Sequence, residues 1–134
     1  MIKQLAHACI HTEDLVLTQD FYCGILGCEL GFEFFREKER VGYYIQLGNQ
    51  TFLEFFRGEP GPVGNIRHLS LEVEDMDALI IRLKEKGVEV GEKKCGSDHS
   101  WQCWCKDPNG VDLEFHQYTS ESLQLKGGVC QVKW

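Results

Sequence analysis

The segment Arg67–Met76, RHLSLEVEDM, repeats the pattern of an earlier segment, Ala6–Leu15, which reads AHACIHTEDL. In both segments a histidine opens an apolar-rich run, and an aspartate follows the histidine at the same spacing. The two histidines are His7 and His68. Because a repeated pattern within one chain is typical of duplicated structural units, the sequence predicts that the same module occurs twice.

A second pair of segments supports the duplication and sets the length of the repeat. The segment LGNQTFLEFF at Leu47–Phe56 matches DPNGVDLEFH at Asp107–His116 at an offset of about 60 residues. Glu54 of the first module therefore corresponds to Glu114 of the second. Between the modules, GEPGPVGN contains two of the three prolines and three glycines, so that it reads as a linker.

Each module is predicted to have the element order βαβββ. In the first, LAHACIHT alternates like a strand, polar residues 12–14 can begin a helix, and Gly27 can end it. In the second, Asp75 can cap a helix that ends before Gly87. The three further strands are expected at about 29–35, 41–47 and 51–57, and again at about 88–94, 101–106 and 111–117.

The predicted fold is therefore α+β, with two βαβββ modules forming a half-open barrel. We expect one domain over residues 1–118, made of modules 1–57 and 65–118, and a C-terminal tail over 119–134. The composition agrees with this, because a chain of 134 residues that is 43% hydrophobic can bury a core.

Charge and cysteine content exclude several classes of function. The net charge of −7 disfavours binding to nucleic acids, which requires a basic surface. No stretch approaches the roughly 18 apolar residues of a membrane span, and no export signal is visible, so we expect a cytoplasmic protein that does not associate with membranes. The seven cysteines form no C-x-x-C pair, which favours reduced thiols over a zinc ribbon.

The duplication places one histidine and one glutamate of each module on strands with apolar neighbours. A buried carboxylate is costly unless it is paired or binds a metal ion. Two His–Glu pairs related by a pseudo-twofold axis would supply two nitrogen and two oxygen ligands, which suits one divalent ion such as Ni, Zn, Co, Mn or Fe. The candidate metal ligands are His7, Glu54, His68 and Glu114.

Several segments together resemble the vicinal oxygen chelate superfamily, which includes glyoxalase I, methylmalonyl-CoA epimerase, extradiol dioxygenases and bleomycin-resistance proteins. The resemblance is carried by HACIHTEDL, DFYCGILGCELG, TFLEFF, RHLSLEVEDM and DPNGVDLEFHQY, and it covers residues 1 to about 118. It implies a glyoxalase-like fold of paired βαβββ modules. It also implies metal ligands at the four positions that the repeat had isolated.

The presence of four candidate ligands favours one reaction among those of the superfamily. Relatives of glyoxalase I with four ligands transfer a proton next to a metal-chelated carbonyl, and the resemblance implies that Glu114 is the catalytic base and Glu54 its symmetric counterpart. The sequence thus predicts a metal-dependent lyase or isomerase of the glyoxalase I type. The alternatives are a methylmalonyl-CoA epimerase-like enzyme, a metal-free drug- or metabolite-binding protein, and a three-ligand relative of the dioxygenase type.

The substrate is expected to be a small 2-oxo or hemithioacetal-like compound. In glyoxalase I an arginine and an asparagine contact glutathione at the positions that His11 and Gly58 occupy here, so these two glutathione contacts are not matched and the thiol carrier stays open. His11 and His116 lie on the ligand-bearing strand faces and are candidate substrate-binding residues. Because half-barrels leave sheet edges exposed, and because relatives dimerise, we expect a homodimer.

Overall fold

The computed structural model describes residues 5–61 and 66–130, and the chain divides into two compact units, Met1–Val63 and Gly64–Trp134. Each unit contains one four-stranded mixed sheet with a helix after its first strand. The α+β class and the two βαβββ modules expected from the repeat are confirmed. As far as the described residues extend, both sheets are open, and the half-open barrel that they would form together stays a prediction.

The first unit contains four strands and one helical segment. The chain order is β1 (His7–Thr12), α1 (Leu15–Gln19) with a π-helical continuation (Asp20–Ile25), β2 (Glu29–Arg36), β3 (Glu39–Gln46) and β4 (Phe52–Arg57). The strand order in the sheet is β1-β4-β3-β2, with β1 parallel to β4 and the other pairs antiparallel. Because β4 lies between β1 and β3, its side chains have neighbours on both sides.

The side chains of these strands alternate between two faces. One face is buried against the helix by large apolar residues, among them Tyr43, Ile45 and Phe55, which are all fully buried. The opposite face carries His7 and Glu54. In the following text it is called the site face of the unit.

The helix of the first unit begins where the sequence indicated. Asp14 is the N-cap, and its Oδ1 accepts hydrogen bonds from the backbone nitrogens of Val16 and Leu17 at 3.0 and 2.9 Å. The helix widens into a π-helix at its end, and Gly27 then turns the chain with a φ of 78°, a conformation that glycine adopts without strain.

The second unit repeats this order. Its elements are β5 (Leu69–Glu72), α2 (Met76–Glu85), β6 (Lys94–Cys95), β7 (Trp101–Lys106) and β8 (Asp112–Gln117), with the sheet order β5-β8-β7-β6. Asp75 caps α2 by accepting a hydrogen bond from the nitrogen of Ala78 at 3.0 Å. The buried face is formed by residues from both the helix and the strands: Met76, Leu83, Cys103, Leu113 and Phe115.

One predicted strand is much shorter than expected. Of the segment 88–94, only Val90 forms an isolated bridge, with Cys105, and the paired strand β6 begins at Lys94. The segment alternates apolar and charged residues like a strand, but Gly91 interrupts it. The backbone nitrogen of Gly91 instead donates a hydrogen bond to the carbonyl of Trp104 at 2.8 Å. The alternating sequence pattern therefore predicted a longer paired strand than the structure contains.

The residues after β8 continue as an ordered part of the second unit through 130. They include a short helix, α3 (Leu123–Lys126), which begins after the fully buried Ser122.

Three further features concern the chain as a whole. All seven cysteines are free thiols, and no helix among the described residues has the length and hydropathy needed to cross a membrane. The first and last four residues and part of the predicted linker, 62–65, lie outside the described residues.

Candidate metal centre

The site face of the first unit brings His7 and Glu54 together. Nε2 of His7 lies 3.7 Å from Oε2 of Glu54, with the histidine side chain 42% exposed and the glutamate 14% exposed. The strand register explains the contact, because Glu54 is opposite Cys9 on β1 and Tyr44 on β3. An accessible imidazole thus stands beside a largely buried carboxylate.

The site face of the second unit brings together the corresponding pair. Nε2 of His68 lies 3.4 Å from Oε2 of Glu114, and the exposures, 41% and 11%, are close to those of the first pair. Glu114 is flanked by Ser70 on β5 and Trp104 on β7. The predicted pairing of one histidine with one glutamate in each module therefore exists in both units.

The sequence prediction did not include a role for Tyr44, which contacts His7. Its hydroxyl lies 3.3 Å from Nδ1 of His7 and also interacts with the Glu54 carboxylate. The two rings meet edge-on, with centroids 5.5 Å apart. Counting strand positions could have revealed Tyr44, because the antiparallel register sets it directly opposite Glu54.

In the second unit the histidine has an aromatic neighbour of a different kind. The ring of His68 meets Trp104 edge-on at 4.9 Å, whereas Trp101 lies on the other side of β7, under the ammonium of Lys93 at 4.8 Å. Because successive residues of a strand face opposite ways, two residues three positions apart lie on opposite faces. Only one of the two tryptophans can therefore reach the site face, and it is Trp104.

His116 lies next to Glu114, as its position two residues further along β8 requires. Its Nε2 is 3.0 Å from Oε2 of Glu114, while its Nδ1 is 3.9 Å from Oδ2 of Asp98. The side chain is only 10% exposed, and Nε2 has no aligned hydrogen-bond partner among the described residues. A buried nitrogen of this kind is available to an added ligand or water.

His11, the other candidate for substrate binding, occupies a more open position. The residue is exposed at the end of β1, and a Cβ at Gly58 would lie 3.1 Å from its Nδ1. The absence of a side chain at Gly58 thus makes room for the imidazole. His11 and Gly58, the two positions where glyoxalase I has glutathione-contacting residues, are therefore next to each other.

Carboxylates affect a titratable neighbour on each of the two site faces. Desolvation, followed by a hydrogen bond that the thiol donates to Glu54 and by the charge of that carboxylate, raises the pKa of the Cys9 thiol to about 11. In the second unit, partial burial and then the charges of Glu72, Asp98 and Glu114 raise the pKa of Tyr118. Burial is the larger cause of both shifts, and the neighbouring carboxylates add to it.

The donor set is chemically suited to a divalent ion. Each pair offers one imidazole nitrogen and one carboxylate oxygen, the mixed ligation that Ni, Zn, Co, Mn and Fe accept. Within residues 5–61 and 66–130, no group of three or more His, Cys, Asp or Glu side chains is arranged so that it could hold a metal ion. Each unit therefore contains one pair, with half of the predicted ligands.

Comparison with known proteins identifies the family. The model of the glyoxalase/bleomycin resistance protein/dioxygenase superfamily matches residues 4–115. The chain is 34% identical to an ethylmalonyl-CoA/methylmalonyl-CoA epimerase from Cereibacter sphaeroides, over 87% of this chain and 99% of the relative.

Solved structures give the same result. A glyoxalase family protein from Enterococcus faecalis superposes with a TM-score of 0.71 at 27% identity, covering 85% of this chain and 97% of that one. The antibiotic-binding protein TnmS3 from Streptomyces sp. CB03234 superposes with a TM-score of 0.74 at 27% identity, covering 88% and 98%. This chain therefore belongs to the glyoxalase/bleomycin resistance protein/dioxygenase superfamily, also called the vicinal oxygen chelate superfamily.

Proposed function

We propose that this protein is a metal-dependent lyase or isomerase of the glyoxalase I type, which transfers a proton next to a carbonyl of a small 2-oxo or hemithioacetal-like substrate. The observation that supports this most strongly is the repeated pair, a half-exposed histidine whose Nε2 lies within 4 Å of a largely buried carboxylate, in both modules. In both modules an accessible imidazole nitrogen and a carboxylate oxygen are thus held side by side, as the ligands of a divalent ion would be.

The proposed ligands of the divalent ion are the two pairs together: His7, Glu54, His68 and Glu114. When bound, a divalent ion would polarise the substrate carbonyl and lower the energy of the carbanion next to it. Which of Ni, Zn, Co, Mn or Fe occupies the site depends on supply as well as affinity. The residues themselves must then hold the substrate and move the proton.

Glu114 is the proposed base, with Glu54 as its counterpart on the other module. A carboxylate can abstract a proton next to a carbonyl when it is held close to that carbon. Glu114 is 11% exposed and adjoins the buried nitrogen of His116, so that water has little access to it.

Substrate binding is assigned to His116, beside the base, to His11, and to the aromatic side chains on the site face of the first unit. The ring of Phe32 stacks on Tyr44 with centroids 4.3 Å apart, and Phe34 contacts Phe56 at 4.7 Å. Phe32 remains 50% exposed. These surfaces favour a substrate with an apolar portion next to its carbonyl group.

An epimerase that acts next to a thioester carbonyl is the second candidate. The 34% identity to an ethylmalonyl-CoA/methylmalonyl-CoA epimerase over nearly the whole chain favours it. The proton transfer would be the same, with Glu114 and Glu54 serving opposite faces of the substrate carbon. The two candidates differ in the carrier, since an epimerase must also accommodate a coenzyme A thioester.

Proton exchange in deuterated water tests the proposal. The metal-loaded protein is incubated with hemithioacetals, free 2-oxo compounds and acyl thioesters, and deuterium incorporation next to the carbonyl is followed by NMR. We expect exchange by the wild type, and its loss in Glu114→Gln under conditions where metal is still bound. Glu39→Gln, which removes the same charge from an exposed ion pair with Arg57, is the matched control and should exchange normally.

The outcomes separate the candidates. Exchange of thioesters alone would favour the epimerase. If the metal-loaded wild type exchanges none of the three classes, the proton-transfer function is wrong, and a binding protein comparable to the antibiotic-binding TnmS3 becomes the better hypothesis.

A further inference from the structure

A chain of polar side chains leads from Glu114 to the C-terminal helix α3. Nε2 of His116 faces the carboxylate of Glu114 at 3.0 Å, and Nδ1 of the same ring faces Asp98 at 3.9 Å. Oδ2 of Asp98 accepts a hydrogen bond from Nε2 of Gln124, which belongs to α3, at 2.5 Å. The superfamily match covers residues 4–115. Glu114 and Asp98 lie within the matched region, whereas His116 and Gln124 lie beyond it.

The loop that carries Asp98 is built to hold this carboxylate in one position. Its Oδ1 accepts hydrogen bonds from the backbone nitrogen of Ser100 at 3.2 Å and from Nε2 of Gln102 at 3.3 Å. A Cβ at Gly96 would come within 2.4 Å of both Oδ1 of Asp98 and Nε2 of Gln102. Only glycine at position 96 therefore permits this arrangement without displacement.

The C-terminal segment anchors the same loop from the other side. The fully buried hydroxyls of Ser100 and Ser122 are joined by a hydrogen bond of 2.9 Å, and the nitrogen of Leu123 donates to the carbonyl of Asp98 at 2.9 Å. His99 has a φ of 64°, which is uncommon for a residue with a side chain, and its carbonyl accepts a hydrogen bond from Thr119 at 2.9 Å. The segment holds a conformation that the loop would not adopt alone.

Asp98 itself is stabilised as a charged group. Although partial burial alone would raise the pKa of Asp98, the hydrogen bonds from Gln124 and Ser100 and the nearby imidazole of His116 outweigh it, so that the pKa lies below its ordinary value. At 3.9 Å this carboxylate is too far from Nδ1 of His116 for a hydrogen bond, so its fixed negative charge acts on the imidazole electrostatically and favours the ring orientation that turns Nδ1–H toward it.

We infer that Asp98 and the C-terminal segment, through Gln124, position His116 and thereby hold the Glu114 carboxylate in its working orientation. This inference rests on the proposed function, in which Glu114 is a metal ligand and the base. Asp98 and Gln124 are positioning residues, which touch neither substrate nor metal. Nε2 of His116 is buried and lies 3.0 Å from Oε2 of Glu114 without being aligned for a hydrogen bond, so a rotation of the ring would change this contact directly.

The test uses the full chain with Gln124→Ala and Asp98→Asn. The first readout is the pair of imidazole ¹⁵N signals of His116 in the metal-free protein, assigned with the help of His116→Gln. We expect both variants to shift these signals while the melting temperature stays close to that of the wild type. Lys126→Ala, which removes the exposed ion pair with Glu121 on the same segment, is the control and should leave the signals in place.

The second readout is the affinity for Zn²⁺ and Ni²⁺, measured by calorimetry. Loss of an outer partner commonly weakens metal binding about 10–100-fold, and we expect a decrease near the lower end for Gln124→Ala. Unchanged ¹⁵N signals of His116 in both variants would overturn the inference. A wild-type protein that binds neither ion would instead refute the proposed metal site, so that the two failures are distinguishable.

Discussion

The hydroxyl of Tyr44 lies 3.3 Å from Nδ1 of His7, whereas Glu54 faces Nε2 of the same ring. Nδ1 of His7 therefore contacts a residue of β3, and Nε2 is the nitrogen that could bind a metal ion beside Glu54. Histidines that bind metal ions through one nitrogen commonly donate the other N–H to an oxygen acceptor, which fixes the tautomer and the ring orientation. Tyr44 has the position of such an acceptor for His7.

Replacing this hydroxyl should weaken metal binding without unfolding the protein. For Tyr44→Phe we expect the affinity for Zn²⁺ or Ni²⁺ to fall about tenfold, because His7 loses the partner that orients it. Calorimetric titration of metal-free protein measures the change.

Tyr43→Phe is the matched control, since Tyr43 is the preceding residue of the same strand and faces the core. Its hydroxyl donates to the carbonyl of Leu15 at 2.9 Å, and its removal should cost about 1 kcal/mol of stability. The metal affinity should not change. Equal losses of affinity in the two variants would show that Tyr44 acts only through stability.

The thiol of Cys9 should report the charge of Glu54. Because desolvation and then Glu54 raise its pKa to about 11, little thiolate exists at pH 8, and alkylation of Cys9 by iodoacetamide should be slow although the residue is exposed. The rate should rise with pH toward 11. In Glu54→Gln the negative neighbour is removed, so the pKa should fall and the rate at pH 8 should increase.

The measurement is peptide mass spectrometry of the metal-free protein over a pH series. Cys95, an exposed thiol of the other unit, serves as the internal reference and should react at the same rate in both proteins. A Cys9 rate that does not respond to Glu54→Gln would contradict the assigned contact.

The two helix caps should differ in strength. Asp14 accepts hydrogen bonds from two backbone nitrogens, whereas Asp75 accepts one from Ala78. Loss of an N-cap costs about 0.5–2 kcal/mol, and we expect Asp14→Ala to lie in the upper part of that range and Asp75→Ala in the lower part. Urea denaturation of both variants gives the free energies of unfolding, and the reverse order would refute the explanation.

We expect the protein to form a homodimer. The edge strand β2 carries Phe35, which is 57% exposed, and an exposed edge with an aromatic side chain is typical of a surface that another chain covers. Light scattering at micromolar concentration should give twice the chain mass of 15.4 kDa. A mass equal to that of one chain would contradict this expectation.

Much of this architecture could be predicted from local sequence, because the interactions concerned join residues close together in the chain. Asp14 and Asp75 cap helices with nitrogens two or three residues away, and Gly27 ends a helix through its own backbone freedom. The pairing of His7 with Glu54 was also accessible, since the repeat indicated both residues and strand alternation placed each on one face.

Other features depend on contacts between segments that are distant in the sequence, so no local sequence pattern predicts them. The segment 88–94 alternates like a strand, yet it pairs only where the neighbouring chain offers a partner, at Val90 and from Lys94 onward. The polar residues 12–14 and Gly27 predicted a helix correctly but could not reveal its π-helical end, where the nitrogen of Leu26 donates to the carbonyl of Phe21. Backbone geometry of that kind is decided by packing.

The sequence by itself determined the duplicated modules, their helix starts and the four candidate ligands, because each depends on residue type and on spacing along one element. Only the tertiary structure decided that Tyr44 supports His7 and that Gln124 reaches Asp98 beside His116. A hydrogen bond requires donor and acceptor within about 3 Å, and residues far apart in the chain reach that distance only when the whole unit has folded.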